Sequence, residues 1–188
     1  MKIGILGGTF NPIHLGHLIL AQEVMEKLNL EKIIFVPTYL PPHKDNSDIA
    51  PAKDRLKMIK LAIKDNKKFS VSDIEIKRKG KSYTIDTIRE FKRLYPNDEL
   101  YFICGSDLLN YLDSWKDLDE ILKIINFVVA TRPGYPLDKI PAHIQRIEIR
   151  AIDISGFVIR QAIKDKKYFR YFVPERVYRY IKKRGLYR

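Results

Sequence analysis

The chain holds one cysteine and one tryptophan in 188 residues. With Cys104 alone, no internal disulfide can form and no paired-cysteine zinc site exists. Its neighbours Tyr101, Phe102 and Ile103 read as a buried strand, so an inert core thiol is expected rather than a nucleophile. A reducing cytoplasm follows as the expected setting. No apolar run approaches the roughly 20 residues of a membrane span. Met1 leads straight into an apolar strand without a basic leader, so no secretory signal is expected. Acidic side chains are also scarce, 23 against 35 basic ones, for a net charge of +12. Such an excess favours anionic partners, nucleic acid or small phosphorylated molecules, and does not choose between them.

Repeats, low-complexity segments and an interdomain linker are all missing. Hydrophobic residues make up 45%, which excludes a disordered composition, and the length fits one domain over 1–188. Two nucleotide-binding fingerprints fail as well. Gly4, Gly7 and Gly8 have the wrong spacing for a dinucleotide motif. Gly80-Lys81-Ser82 looks like the end of a P-loop, but Glu75 stands where its first glycine must be.

What is present is an alternation of strand-like and helix-like runs. Apolar runs at 2–6, 33–36, 100–104 and 127–130 read as buried strands, with a late one at 147–149. The alternating stretch Phe69 to Ile76 reads as another strand. Helical spacing appears at Leu15 to Leu28, Leu56 to Ile63, Ile85 to Leu94, Leu118 to Ile125, Val158 to Ile163 and Val177 to Ile181. The proline-rich stretch Thr38 to Pro51 reads as a loop. The pattern predicts an α/β fold: a doubly wound, mostly parallel sheet with helices on both faces and a helical part from about 155 to 188 packed on it. Ligands of such folds bind beyond the carboxyl ends of the strands.

The unusual residues fall there. The first strand runs into Gly7-Gly8-Thr9-Phe10-Asn11-Pro12-Ile13-His14-Leu15-Gly16-His17. Paired glycines let backbone approach a ligand. His14 and His17, three apart at a helix start, can share a face beside amides that attract anions. The segment resembles the His-x-Gly-His signature of the nucleotidyltransferase superfamily, and its full string is similar to that of the nicotinate-nucleotide adenylyltransferases. Asn11 departs from the aspartate that many members carry. A zinc site is not expected.

The resemblance extends over nearly the whole chain, through Val173-Pro174-Glu175-x-Val177. It implies transfer of AMP from ATP to nicotinate mononucleotide, with Mg²⁺ held through the ATP phosphates and no protein metal ligands. Gly7, Gly8, Thr9, Phe10, His14 and His17 would meet ATP. Gly105, Ser106 and Asp107 match the adenosine ribose contact, although Asp107 alone would also read as a helix cap. Ile154, Ser155 and Arg160 stand for an Ile-Ser-Ser-Thr-x-Ile-Arg string that binds the triphosphate, with Gly156 and Phe157 replacing two hydroxyl residues. Thr9, His43 and Lys44 (in Pro41-Pro42-His43-Lys44), Ser82, Tyr83, Thr84, Trp115 and Arg132 would meet the mononucleotide. Ser82 or Thr84 also suits a helix cap, and Trp115 also suits the core. His14, His17, Lys44 and Arg160 are the expected charge stabilisers.

Three rivals stand beside this reading. One is another His-x-Gly-His enzyme, a pantetheine-phosphate adenylyltransferase or a cytidylyltransferase. Another is an inactive relative, prompted by Gly156-Phe157. The third is a nucleic-acid-binding module, prompted by the charge and the aromatic-basic stretch Tyr168 to Tyr187, though no nucleic-acid fingerprint is present. The family leads one to expect a homodimer and small-molecule substrates, with neither nucleic acid nor membrane as partner.

Overall fold

The computed structural model describes residues 1–41, 48–135, 141 and 144–188. Six strands form one sheet: β1 Lys2–Gly8, β2 Lys32–Pro37, β3 Phe69–Val71, β4 Glu99–Gly105, β5 Asn126–Ala130 and β6 Gln145–Ile147. Their spatial order is β3-β2-β1-β4-β5-β6, and every pair is parallel. The helices are α1 Leu15–Lys27, α2 Ala52–Ala62, α3 Ile74–Arg78, α4 Thr84–Leu94, α5 Leu118–Ile124, α6 Gly156–Lys164 and α7 Glu175–Arg184. This is the doubly wound arrangement that the sequence pattern implies.

Parallel strands covered on both faces must be apolar on both faces. Leu6, Ile33, Phe35, Ile103 and Val128 turn to one side and pack with Val24 of α1, Met58 of α2, Ile159 of α6 and Val177 and Ile181 of α7. Their strand neighbours Ile3, Ile5, Ile34, Phe102 and Val129 turn to the other side, against Ile85, Ile88 and Phe91 of α4 and Ile121 of α5. The C-terminal helices thus share the core of the first face. Tyr180 ties α7 to α2, its hydroxyl donating to Asp54 Oδ1 at 2.7 Å. Among the described residues no helix is long and apolar enough to cross a membrane.

Two expected elements differ. The run from Phe69 to Ile76 is not one strand. It pairs with β2 from Phe69 to Val71 alone, and Ile74–Arg78 then forms α3. A tertiary bond selects this turn: the Thr87 hydroxyl donates to the buried carboxyl of Glu75 at 2.7 Å. Short apolar alternation cannot distinguish the two conformations by itself. The last strand also lies two residues earlier than its apolar run. The hydroxyl of Thr131 accepts from Ile149 N at 2.8 Å, a side chain taking the place of a ladder partner.

Candidate active site

The strand order reverses between β1 and β4, and two adjoining recesses open at their carboxyl ends. The larger, about 340 Å³, is bounded by the β1–α1 loop, the end of β4 and the start of α6. The smaller, about 250 Å³, is bounded by the end of β2, the start of α4 and the segment around Trp115. Gly7, Gly8, Thr9 and Leu108 line both.

In the larger recess, His14 precedes α1 in extended conformation and His17 sits in its first turn. The His14 amide donates to His17 Nδ1 at 3.2 Å, which leaves the proton of a neutral His17 ring on Nε2. The two rings lie 3.7 Å apart between centroids, and Phe10 meets His17 edge-on at 4.9 Å. His14 is only 4% exposed, and its Nδ1 has no hydrogen-bond partner among the described residues. Burial, with Arg132 nearby, lowers its pKa to about 3, so without a ligand this imidazole is neutral at pH 7.

Across the recess, Ser155 caps α6 by accepting from Val158 N at 3.2 Å. Arg160, one turn on, donates from Nη1 to the carbonyl of Asn11 at 2.9 Å, and its guanidinium lies 6.0 Å from the Phe157 ring centroid. Of the substituted pair, Gly156 has a structural account. A Cβ on Gly156 would lie 2.7 Å from the Asn11 oxygen and 3.4 Å from Arg160 Nη1. Glycine is what lets the α6 start close on the β1–α1 loop. Phe157 is 58% exposed at the rim.

Asp107 does not cap a helix. Its Oδ2 pairs with Arg132 Nη1 at 2.7 Å, and its other oxygen would be 2.6 Å from a Cβ at Gly105, so the Gly-x-Asp spacing packs the carboxylate back on the strand end. Arg132 lines the larger recess beside Asp107 and not the smaller one. Ser106 is buried, donates to Tyr135 O at 2.7 Å and accepts from Arg132 N at 2.9 Å. It braces the β4 and β5 ends and does not line either recess.

The smaller recess gathers Thr9, Ser82, Tyr83, Thr84 and Trp115. Tyr83, not Ser82 or Thr84, holds the cap position of α4, and no side chain caps it. Ser82 instead accepts from Tyr39 N at 3.0 Å, joining this segment to the end of β2. Trp115 packs edge-on against Phe102 and Phe127, at 5.9 and 5.8 Å, and also walls the recess. Ile154 lines the larger recess; His43 and Lys44 lie outside the described residues.

Two residues escaped the motif reading. Arg55 is 1% exposed and meets four carbonyls: Ala50 at 2.9 Å, Thr9 at 2.8 Å, Thr38 at 2.6 Å and Tyr39 at 3.1 Å. One guanidinium thus joins the β1–α1 loop to the segment after β2. The sequence did carry a signal, because Arg55 shares helical spacing with Met58 and Ile59 and so sits on the buried face of α2. Glu75, 7% exposed, lies at the floor of the smaller recess. Burial pushes its carboxyl pKa up.

Residues 5–162 match the cytidylyltransferase-like family. Within it, the chain is 43% identical to a probable nicotinate-nucleotide adenylyltransferase of Geobacillus thermodenitrificans, over 99% of this chain and 86% of that protein. It is 42% identical to the nicotinate-nucleotide adenylyltransferase of Bacillus subtilis, over 99% and 98% of the two. The fold is that of the Plasmodium falciparum nicotinic acid mononucleotide adenylyltransferase solved in complex with NaAD, with a TM-score of 0.84, 22% identity, and coverage of 99% of this chain and 97% of that one. The chain is a member of the cytidylyltransferase-like family. More narrowly, it belongs with the nicotinate-nucleotide adenylyltransferases.

Proposed function

We propose that the chain transfers AMP from ATP to nicotinate mononucleotide, giving nicotinate adenine dinucleotide and pyrophosphate. The observation that carries this reading is the meeting of two unlike recesses at Gly7–Thr9. One is lined by the imidazole pair, Arg132 and Arg160; the other is walled by Trp115 with the hydroxyls of Ser82 and Thr84. A triphosphate suits the first and a pyridine ring the second, so their reacting phosphates come together at the shared strand end.

The mononucleotide phosphate oxygen attacks the α-phosphorus of ATP. A new P–O–P bond forms as the bond to the β-phosphate breaks, and the electron pair leaves with pyrophosphate. The attacking oxygen is already anionic, so no general base is required. The protein's part is to hold two anions in line, worth about 7–11 kcal/mol in favourable cases, and to stabilise charge on the departing group. His17 Nε2, His14, Arg160 and Lys44 serve that charge, and Asp107 with Arg132 meets the adenosine ribose. The resemblance adds His43 to the residues that meet the mononucleotide.

Asp107 is taken by Arg132 and Asp48 by Lys164, so the described carboxylates of the larger recess are already paired with cations. That donor set suits an Mg²⁺ that arrives on the phosphates rather than one caged by protein. When bound, the ion neutralises triphosphate charge. The proposed setting is the cytoplasm, in keeping with a buried Cys104 whose thiol pKa burial pushes up. The test is a panel: pure protein, ATP and Mg²⁺ with nicotinate mononucleotide, nicotinamide mononucleotide or phosphopantetheine, read as pyrophosphate release. Fastest turnover with the first is expected. Turnover confined to phosphopantetheine, or none with any acceptor, would overturn the reading.

A further inference from the structure

We propose that Lys116 is a specificity-determining residue whose ammonium group supplies the counter-charge for a pyridine-3-carboxylate in the smaller recess. The inference rests on the adenylyltransferase reading and adds the chemical basis for preferring an acid-headed over an amide-headed mononucleotide.

An aromatic wall binds a carboxylate and a carboxamide ring alike. Hydroxyls do not separate them either, because each can donate or accept. A fixed positive charge does separate them. Among the described residues that line this recess, Lys116 is the only lysine or arginine. It follows Trp115 directly, and its Nζ lies 5.1 Å from the Tyr83 ring centroid. That contact holds the ammonium at the rim, between the segment that carries the indole and the start of α4.

Two further facts leave its charge uncancelled. Lys116 makes no ion pair among the described residues, and Asp117 and Glu120 nearby are engaged by Arg89. Glu75, the one carboxyl among the described residues that line the recess, is sunk in the floor with an oxygen occupied by Thr87, and burial favours its protonated form. A carboxylate entering here meets the Lys116 ammonium. A carboxamide gains nothing from it.

Lys116 is exposed, so its replacement leaves the core untouched and its effect is modest and screened by salt. The experiment compares kcat/KM for nicotinate and nicotinamide mononucleotides in the wild type, Lys116→Met and Lys116→Arg, at about 0.05 and 0.5 M salt. In Lys116→Met the acid-to-amide ratio is expected to fall about two- to fivefold at low salt, chiefly through KM of the acid. Lys116→Arg is expected to keep the ratio. High salt should narrow the wild-type ratio and leave that of Lys116→Met nearly flat. An unchanged ratio in an active Lys116→Met overturns this inference alone. A wild type that does not use nicotinate mononucleotide overturns the reading on which it rests.

Discussion

Arg55 Nη1 donates to the carbonyl of Thr9 at 2.8 Å, from a position almost wholly removed from solvent. Thr9 lines both recesses, and the same guanidinium fixes Thr38 and Tyr39. A point-charged ammonium cannot reproduce that fork. Arg55→Met is expected to lower stability by about 3–5 kcal/mol, since several buried carbonyls lose their donors at about 1–3 kcal/mol each. Arg55→Lys should fold with a smaller deficit yet turn over more slowly. Urea unfolding with steady-state kinetics on the same samples checks both. Wild-type stability in Arg55→Met would show that water replaces the clamp.

Much of this site was legible from residue types at fixed spacing after the strands. Local geometry placed His14 and His17, whereas Ser155 with Arg160 and Gly105 with Asp107 were singled out by the family resemblance. The rest was set by partners far along the chain. Ser106 turns inward because Tyr135 and the Arg132 amide take its hydroxyl. Arg132 faces the larger recess because Asp107 holds it there. Ile74–Arg78 coils rather than extends because Thr87 reaches the Glu75 carboxyl. None of these pairings has a period or a motif to announce it, and each overrides the local preference that the sequence displays.

Restoring a serine at position 156 is expected to harm this chain, although relatives with that string carry one. The added Cβ would press on the Asn11 carbonyl, which is backbone and cannot swing aside as a side chain would. The same carbonyl accepts the Arg160 hydrogen bond. Gly156→Ser should cost about 1–3 kcal/mol as an overpacked contact and raise KM for ATP more than KM for the mononucleotide. Thermal unfolding and the two KM values measure it. An equal rise in both KM values would show that the contact does not act through Arg160.

Acid should destabilise the protein through His14. Its folded pKa of about 3 lies below its ordinary value of 6.5. Well above pH 6.5 neither state binds the proton and the residue contributes no pH dependence. Below that, the unfolded chain takes up a proton that the folded chain refuses, so stability falls as pH drops toward 3. The slope approaches about 1.4 kcal/mol per pH unit, or about 2 kcal/mol between pH 6.5 and 5. Urea midpoints measured at pH 7.5, 6 and 5 for the wild type and His14→Asn isolate it, with a flatter curve in the variant. Parallel curves would mean that His14 is more hydrated than its 4% exposure indicates.

His17 offers the cleanest separation of binding from chemistry. Its Nδ1 is occupied by the His14 amide, so Nε2–H is the donor it can present to a phosphate oxygen. It lines the larger recess and not the one that suits the pyridine ring. Removing the ring should therefore leave nicotinate mononucleotide affinity within about twofold, since the lost donor acts on charge that grows as pyrophosphate departs. Loss of one such preorganised donor is expected to lower turnover about 10²–10³-fold. Titration calorimetry with the mononucleotide, and pyrophosphate release at saturating ATP, read the two effects separately in His17→Ala. Near-wild-type turnover in that variant would remove the imidazole pair from the chemistry and leave it a brace for the start of α1.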